Sequence, residues 1–135
     1  MRYFDLVNED EDPIPFLIQV SVFPNRRAYL RYLRTKRSPV GVRLAAKGTA
    51  AMCLSYFPDQ VPINHPQCEL VFYPKEFDVD SITHEVFHAL LSIYQNANLP
   101  LAENEESFAC TIGRLSQEVF DWRTTLLKDP KYAFA

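Results

Sequence analysis

Alternating and continuous apolar runs predict strands in the first half of the chain. Four runs rich in β-branched and aromatic residues lie at 16–23, 40–45, 49–57 and 68–73. Lys47 and Gly48 separate the second run from the third, and this pair indicates a turn, so these two runs predict a hairpin. The proline-rich segment 58–66 predicts a loop.

Helical periodicity appears in three other segments. Residues 26–37 place apolar side chains at helical spacing among arginines, which predicts an amphipathic helix that Asn25 can cap. Residues 81–96 are apolar around most of the helix circumference, and Asp78, Asp80 and Ser81 are candidate caps. Residues 103–127 predict a long returning helix. The pattern therefore predicts an α+β fold, with about four mostly antiparallel strands packed on two long helices and an N-terminal amphipathic helix.

Composition sets the size and class of the molecule. With 135 residues and 47% hydrophobic content, residues 1–135 are expected to form one domain. The net charge of −3 argues against binding to nucleic acid or to anionic membranes. Three cysteines are an odd number that suggests a reducing compartment, and the start of the chain lacks a signal-peptide layout. We therefore expect a cytoplasmic location.

Basic charge is concentrated in the predicted helix 26–37. Its arginines and lysine predict a solvated helix face. The alternatives are a docking surface for an acidic protein partner and, in a nucleic-acid-associated regulator, a surface that contacts the nucleic acid. No apolar run is long enough to span a bilayer, so no membrane partner is expected.

The segment from His84 to His88 carries the strongest chemical signal. Residues four apart on a helix share a face, so His84 and His88 can bind one zinc ion, and Glu85 between them is the general base of this motif. The alternative is a hydrogen-bonded polar cluster without metal. A catalytic zinc ion needs three protein ligands, so one more is expected.

Five side chains are candidates for the third ligand: Glu105, Glu106, Cys53, Cys68 and His65. No histidine follows His88, which excludes a third histidine downstream. An antiparallel helix pair would bring the start of the second helix within reach of the histidine face, which favours the glutamates.

Two short motifs, Ile82 to His88 and Glu105 to Ala109, resemble the small gluzincin-type zinc metallopeptidases often carried by phages and prophages. The resemblance covers about residues 80–115. It implies a minimal zincin-like fold, Zn²⁺ held by His84, His88 and Glu106, a peptide or protein substrate, and the host cytoplasm as location. Cys110 stands where the family carries an acidic residue that orients a ligand histidine, and Asp78, Asp80 or Glu105 could take over that role.

Cys53-Leu54-Ser55 gives a second resemblance, to peptide deformylase, in which such a segment on a strand supplies a thiolate ligand. This implies a deformylase-like amidase with Cys53 as third ligand. The Gly-x-Gly-x-Ala-Ala loop of that family is absent from the sequence.

The expected reaction is hydrolysis of a peptide bond with Glu85 moving the proton. Tyr73, His65 or Tyr94 could provide a second donor to the oxyanion. Substrate is expected to add as a strand along an edge formed by residues 68–73. The alternative is a catalytically weak or inactive zincin-like binding or structural protein, such as a phage component or host-directed effector, in which zinc is structural.

Overall fold

The computed structural model of the protein describes residues 1–9, 14–36, 51–56, 61–62 and 64–132. Within these ranges the chain forms, in order, β1 (Arg2–Asn8), β2 (Phe16–Val22), α1 (Arg26–Thr35), β3 (Ala51–Ser55), β4 (Cys68–Phe72), α2 (Val79–Asn96) and α3 (Glu105–Leu126). Short 3-10 turns lie at Pro74–Glu76, Leu101–Glu103 and Pro130–Tyr132. The predicted α+β class is confirmed.

The four strands form one mixed sheet in the order β1-β2-β4-β3. The outer pairs, β1 with β2 and β3 with β4, are antiparallel, whereas β2 and β4 are parallel. The prediction that residues 68–73 form a sheet edge is wrong, because β4 lies between β2 and β3. Its five residues are all buried, as is typical of an inner strand covered on both faces.

Strand β1 was not predicted from the sequence. Leu6 and Asn8 are its only buried residues, and polar or exposed side chains separate them, so the apolar signal is weak. Pairing with β2 over the full length from Arg2 to Asn8 supplies the backbone hydrogen bonds that define the strand. The predicted strand 40–45, the Lys47-Gly48 turn and the hairpin that they imply lie outside the described residues.

Helices cover both faces of the sheet. On one face, α2 and α3 pack on residues of all four strands around a large core that includes Leu6, Val20, Leu70, Val86 and Leu115. On the other face, α1 packs through a smaller core of Phe23, Tyr29, Leu33, Val71 and Tyr73. Consecutive residues of β4 belong to opposite cores, because side chains alternate along a strand.

Local interactions of the residues that flank the two long helices set where these helices begin and end. Helix α2 starts two residues before the predicted boundary, because the Asp78 side chain accepts a hydrogen bond of 2.8 Å from the Ser81 backbone N–H. Asn98 follows α2 in the left-handed conformation, with φ of 56°. Helix α3 begins at Glu105, after a separate 3-10 turn. No helix among the described residues is long and apolar enough to cross a membrane.

Candidate metal centre

His84 and His88 lie side by side on the exposed face of α2. Their Nε2 atoms are 3.1 Å apart, and the ring centroids are 4.7 Å apart with the planes inclined by 71°. The opposite face of the helix carries Ile82, Val86, Ala89, Leu90 and Ile93, all buried in the core. Packing of that face fixes the helix rotation and so turns both imidazoles to solvent.

The spacing of the two imidazoles fits a zinc site. Two nitrogens bound to one tetrahedral zinc ion, each at about 2.0–2.1 Å, lie about 3.3 Å from each other. The observed 3.1 Å between the Nε2 atoms of His84 and His88 is close to that value. Neutral imidazole nitrogens are also ligands that zinc prefers. The distance is therefore compatible with two of the three protein ligands of a zinc site, and it is also that of a hydrogen bond between the two imidazoles.

Glu85 is buried, whereas the two histidines of the motif are exposed. It is 7% exposed, and its Oε1 lies 4.0 Å from the His84 Nε2 atom. Burial raises the pKa of the Glu85 carboxyl, and the neighbouring His84 opposes that rise. A carboxylate of raised pKa is a stronger base, so the arrangement suits a group that accepts a proton.

The predicted glutamate ligand lies on the helix next to the histidines. The Tyr94 hydroxyl and the Ser107 hydroxyl are 2.9 Å apart, and the rings of Phe87 and Phe108 are 5.5 Å apart. These contacts place the first turn of α3 beside α2, as the predicted antiparallel helix pair requires.

Within the described part of the chain, no group of three His, Cys, Asp or Glu side chains is arranged to hold a metal ion. The Glu106 carboxylate instead accepts a hydrogen bond of 3.4 Å from the Cys110 thiol. Glu105 and Asp80 are both exposed. The structure therefore brings His84, Glu85 and His88 together, whereas the assignment of Glu106, or alternatively Glu105, as third ligand stays a prediction.

Cys53 and Cys68 form a separate thiol pair inside the sheet layer. Each thiol lies within 3.9 Å of the Ser55 hydroxyl, and the Cys68 thiol also donates to the Ala89 carbonyl oxygen over 3.7 Å. The neighbouring Cys68 thiol, together with burial, raises the pKa of the Cys53 thiol. The assignment of Cys53 as third ligand, as in the deformylase-like alternative, stays a prediction.

The three candidate oxyanion donors have different surroundings. Tyr94 is 1% exposed, and its hydroxyl joins α2 to α3 through Ser107. Tyr73 packs on Tyr29 with ring centroids 5.1 Å apart. His65 Nδ1 lies 2.8 Å from the Pro66 carbonyl oxygen, and its ring lines a pocket of about 440 Å³ together with Phe16, Tyr56 and Gln67. Of these, Tyr94 is the one on the histidine-bearing helix.

Sequence reasoning missed Glu69, which with Glu85 is one of two deeply buried carboxylates in the part of the chain that the structure describes. It is 3% exposed on β4 and bonds to Tyr32, Tyr56 and Lys36. A charged residue inside the otherwise apolar run 68–73 was the available signal, because a buried charge requires polar partners.

Comparison with known proteins does not assign this chain to a family. No protein-family model, no curated protein and no solved structure matches this chain.

Proposed function

We propose that the protein is a zinc-dependent metallopeptidase that hydrolyses peptide bonds. The observation that carries the proposal is the pair of Nε2 atoms of His84 and His88, 3.1 Å apart on one helix face, with the buried Glu85 beside them. A zinc ion, when bound, supplies a water whose pKa is lowered to about 7 and polarises the scissile carbonyl.

Glu85 carries the proton in this proposal. Its buried carboxylate takes a proton from the attacking water and later delivers it to the leaving amine. The burial that raises its pKa makes the carboxylate a stronger proton acceptor in the first step. Its Oε1 lies 4.0 Å from His84 Nε2, so it would lie close to a metal ion held by the two imidazoles.

Glu106 is the third ligand that we propose. Its support is the resemblance to glutamate-type zincins and the placement of the first turn of α3 beside α2 through the Tyr94 and Phe87 contacts. To reach the metal its carboxylate must leave Cys110, and such a weak thiol hydrogen bond is readily exchanged.

Metal content tests the ligand set. Purified protein is loaded with zinc, dialysed, and its zinc measured by mass spectrometry for the wild type and for His84→Ala, His88→Ala and Glu106→Ala. We expect one zinc per wild-type chain and a loss of affinity of about a hundredfold or more in each variant. Glu103→Ala is the matched control for Glu106→Ala, since Glu103 is an exposed carboxylate in the turn before α3. Full zinc binding by His84→Ala would overturn the proposal.

Hydrolysis tests the catalytic part. The zinc-loaded protein is incubated with a broad peptide mixture, and new termini are detected by mass spectrometry. We expect Glu85→Gln to keep its zinc and to lose cleavage by about 10²-fold or more, because the base is removed without changing the shape of the side chain. Glu103→Gln, at an exposed position before α3, is the control. If wild-type protein binds zinc without cleaving any peptide, the zinc is structural and the protein belongs to the alternative class of binding or structural zincin-like proteins.

A further inference from the structure

Glu69 is a buried carboxylate on the sheet face opposite the candidate metal centre. It lies on β4 with its side chain toward α1, since Val71 and Tyr73, which share its side of the strand, belong to the α1 core. The residue is 3% exposed. A charge buried this deeply is tolerated only when polar groups bind it.

Two tyrosines and a lysine surround this carboxylate. The Tyr32 hydroxyl donates to Oε2, and the Tyr56 hydroxyl donates to Oε1 over 2.9 Å. Burial, together with the Glu69 charge, raises the pKa of both phenols, so they remain donors. The Lys36 ammonium lies 3.4 Å from Oε1.

The same ammonium also lies over both aromatic rings. The Lys36 Nζ atom is 5.3 Å from the centre of the Tyr32 ring and 5.9 Å from the centre of the Tyr56 ring. Two electron-rich rings within about 6 Å of a cation, next to an anionic group, are the features that proteins use to recognise ammonium ligands. Tyr32, Tyr56 and Glu69 therefore make up an ammonium site, which we call the tyrosine cage.

Lys36 is the replaceable member of this cluster. The cage residues come from α1, the position directly after β3 and the start of β4, and two phenol hydrogen bonds hold the carboxylate without Lys36. The Lys36 side chain is 31% exposed and reaches the cage from the end of α1. A partly exposed lysine gains little from such an ion pair, because it gives up hydration and side-chain entropy.

We propose that the tyrosine cage is a binding site for an alkylammonium group, such as the side chain of a partner's lysine, and that Lys36 occupies it in the free protein. Binding then requires an incoming ammonium to displace Lys36, which lowers the apparent affinity of the wild type. The proposal does not rest on the metallopeptidase function, since the cage lies on the other face of the sheet.

Removal of Lys36 tests the site. Binding of n-butylammonium to the wild type, Lys36→Ala and the matched control Lys131→Ala is followed by NMR shifts of backbone amides in β4 and α1. We expect Lys36→Ala to bind about tenfold more tightly than the other two, because the competing ammonium is gone. The neutral analogue 1-butanol should not bind. Equal affinities for the two compounds, or no gain in Lys36→Ala, would overturn the proposal.

A second pair of variants tests whether the gain in affinity comes from the cage residues or only from the space that Lys36 leaves. Lys36→Ala/Glu69→Gln should lose the gain in affinity because the anion is removed, and Lys36→Ala/Tyr56→Leu should lose most of it because one ring is removed. Circular dichroism identifies whichever double variant is folded, and its binding decides the question. Retained butylammonium affinity in a folded double variant contradicts the cage.

The source of the ammonium group is tested with peptides. Acetyl-Gly-Lys-Gly-amide is compared with its norleucine analogue on Lys36→Ala and on the wild type. Binding of the lysine peptide alone supports a lysine-bearing protein partner, whereas failure of a peptide lysine to bind where butylammonium does overturns that part of the proposal and restricts the site to small free amines.

Discussion

At the residue scale, the two most deeply buried carboxylates among the described residues have opposite environments. Glu69 receives hydrogen bonds from two phenols and an ion pair from Lys36. Glu85 is buried beside an imidazole 4.0 Å away, and its pKa is raised. Hydrogen-bond donors and a cation hold the Glu69 carboxylate, whereas desolvation makes the Glu85 carboxylate bind a proton more readily. Glu69 is therefore suited to binding a cation, and Glu85 to moving a proton.

The Tyr32 hydroxyl gives a pH-dependent prediction. Tyr32→Phe should lower the free energy of unfolding by roughly 1.5–3 kcal/mol at pH 7, since a hydrogen bond to a buried charge is lost. The folded pKa of Tyr32 is raised, first by burial and then by its bond to Glu69. Its contribution is therefore complete below the unfolded tyrosine pKa of about 10 and is lost as the pH rises above that value.

Urea unfolding at several pH values between 7 and 11 measures this effect. The difference in unfolding free energy between the wild type and Tyr32→Phe should narrow above pH of about 10. Tyr3→Phe is the control, because Tyr3 is 58% exposed on β1 and should differ little from the wild type at pH 7. A difference between wild type and Tyr32→Phe that stays constant across this range would contradict the prediction.

At the element scale, α2 determines where the metal ligands lie. Its buried face packs on the sheet, and its first turn is capped by Asp78. His84 lies less than two turns after that cap, so the start of the helix must be well ordered for the two imidazoles to keep their spacing. The cap and the apolar face together place the candidate metal ligands.

Removal of this cap gives a stability prediction. Asp78→Ala should lower the free energy of unfolding by about 1 kcal/mol, because the Ser81 N–H loses its acceptor and the helix dipole loses a neighbouring negative charge. Asp80→Ala removes a carboxylate from the same turn at a non-capping position, so its effect should be smaller. Chemical denaturation of metal-free protein measures both variants, and an equal loss would show that Asp78 acts through charge alone.

At the scale of the whole molecule, the sheet separates two cores of unequal size. The large core joins α2 and α3 to all four strands, whereas α1 is held by a smaller group and by the Glu69 cluster. Local opening free energies depend on how much apolar packing each element contributes. The candidate metal centre thus lies on the side with the more extensive packing.

Native-state hydrogen exchange tests this difference. Amides of α1 should open at a lower free energy than amides of β4 and α2, and exchange should reach α1 at lower urea concentrations. Peptide-resolved mass spectrometry gives the order of opening. Exchange of α1 and β4 with one common opening free energy would mean that both cores unfold as a single unit.

Local patterns predicted much of the fold and part of the site. The helices, the inner strands and the motif from His84 to His88 follow from periodicity and spacing, because these are properties of consecutive residues. Strand β1 was missed because its partner, β2, contributes as much to its formation as its own residues do. The place of β4 inside the sheet also depends on pairing with distant segments, which no local pattern specifies.

The sequence by itself determined that two histidines share one helix face with a glutamate between them, since the pitch of an α-helix requires it. Only the tertiary structure decided that this glutamate is buried and that its pKa is raised, because burial depends on how α2 packs on the sheet. The tertiary structure also brought Tyr32, Lys36, Tyr56 and Glu69 together from three elements. Their contacts span up to 37 positions along the chain, and such contacts form only when the chain folds.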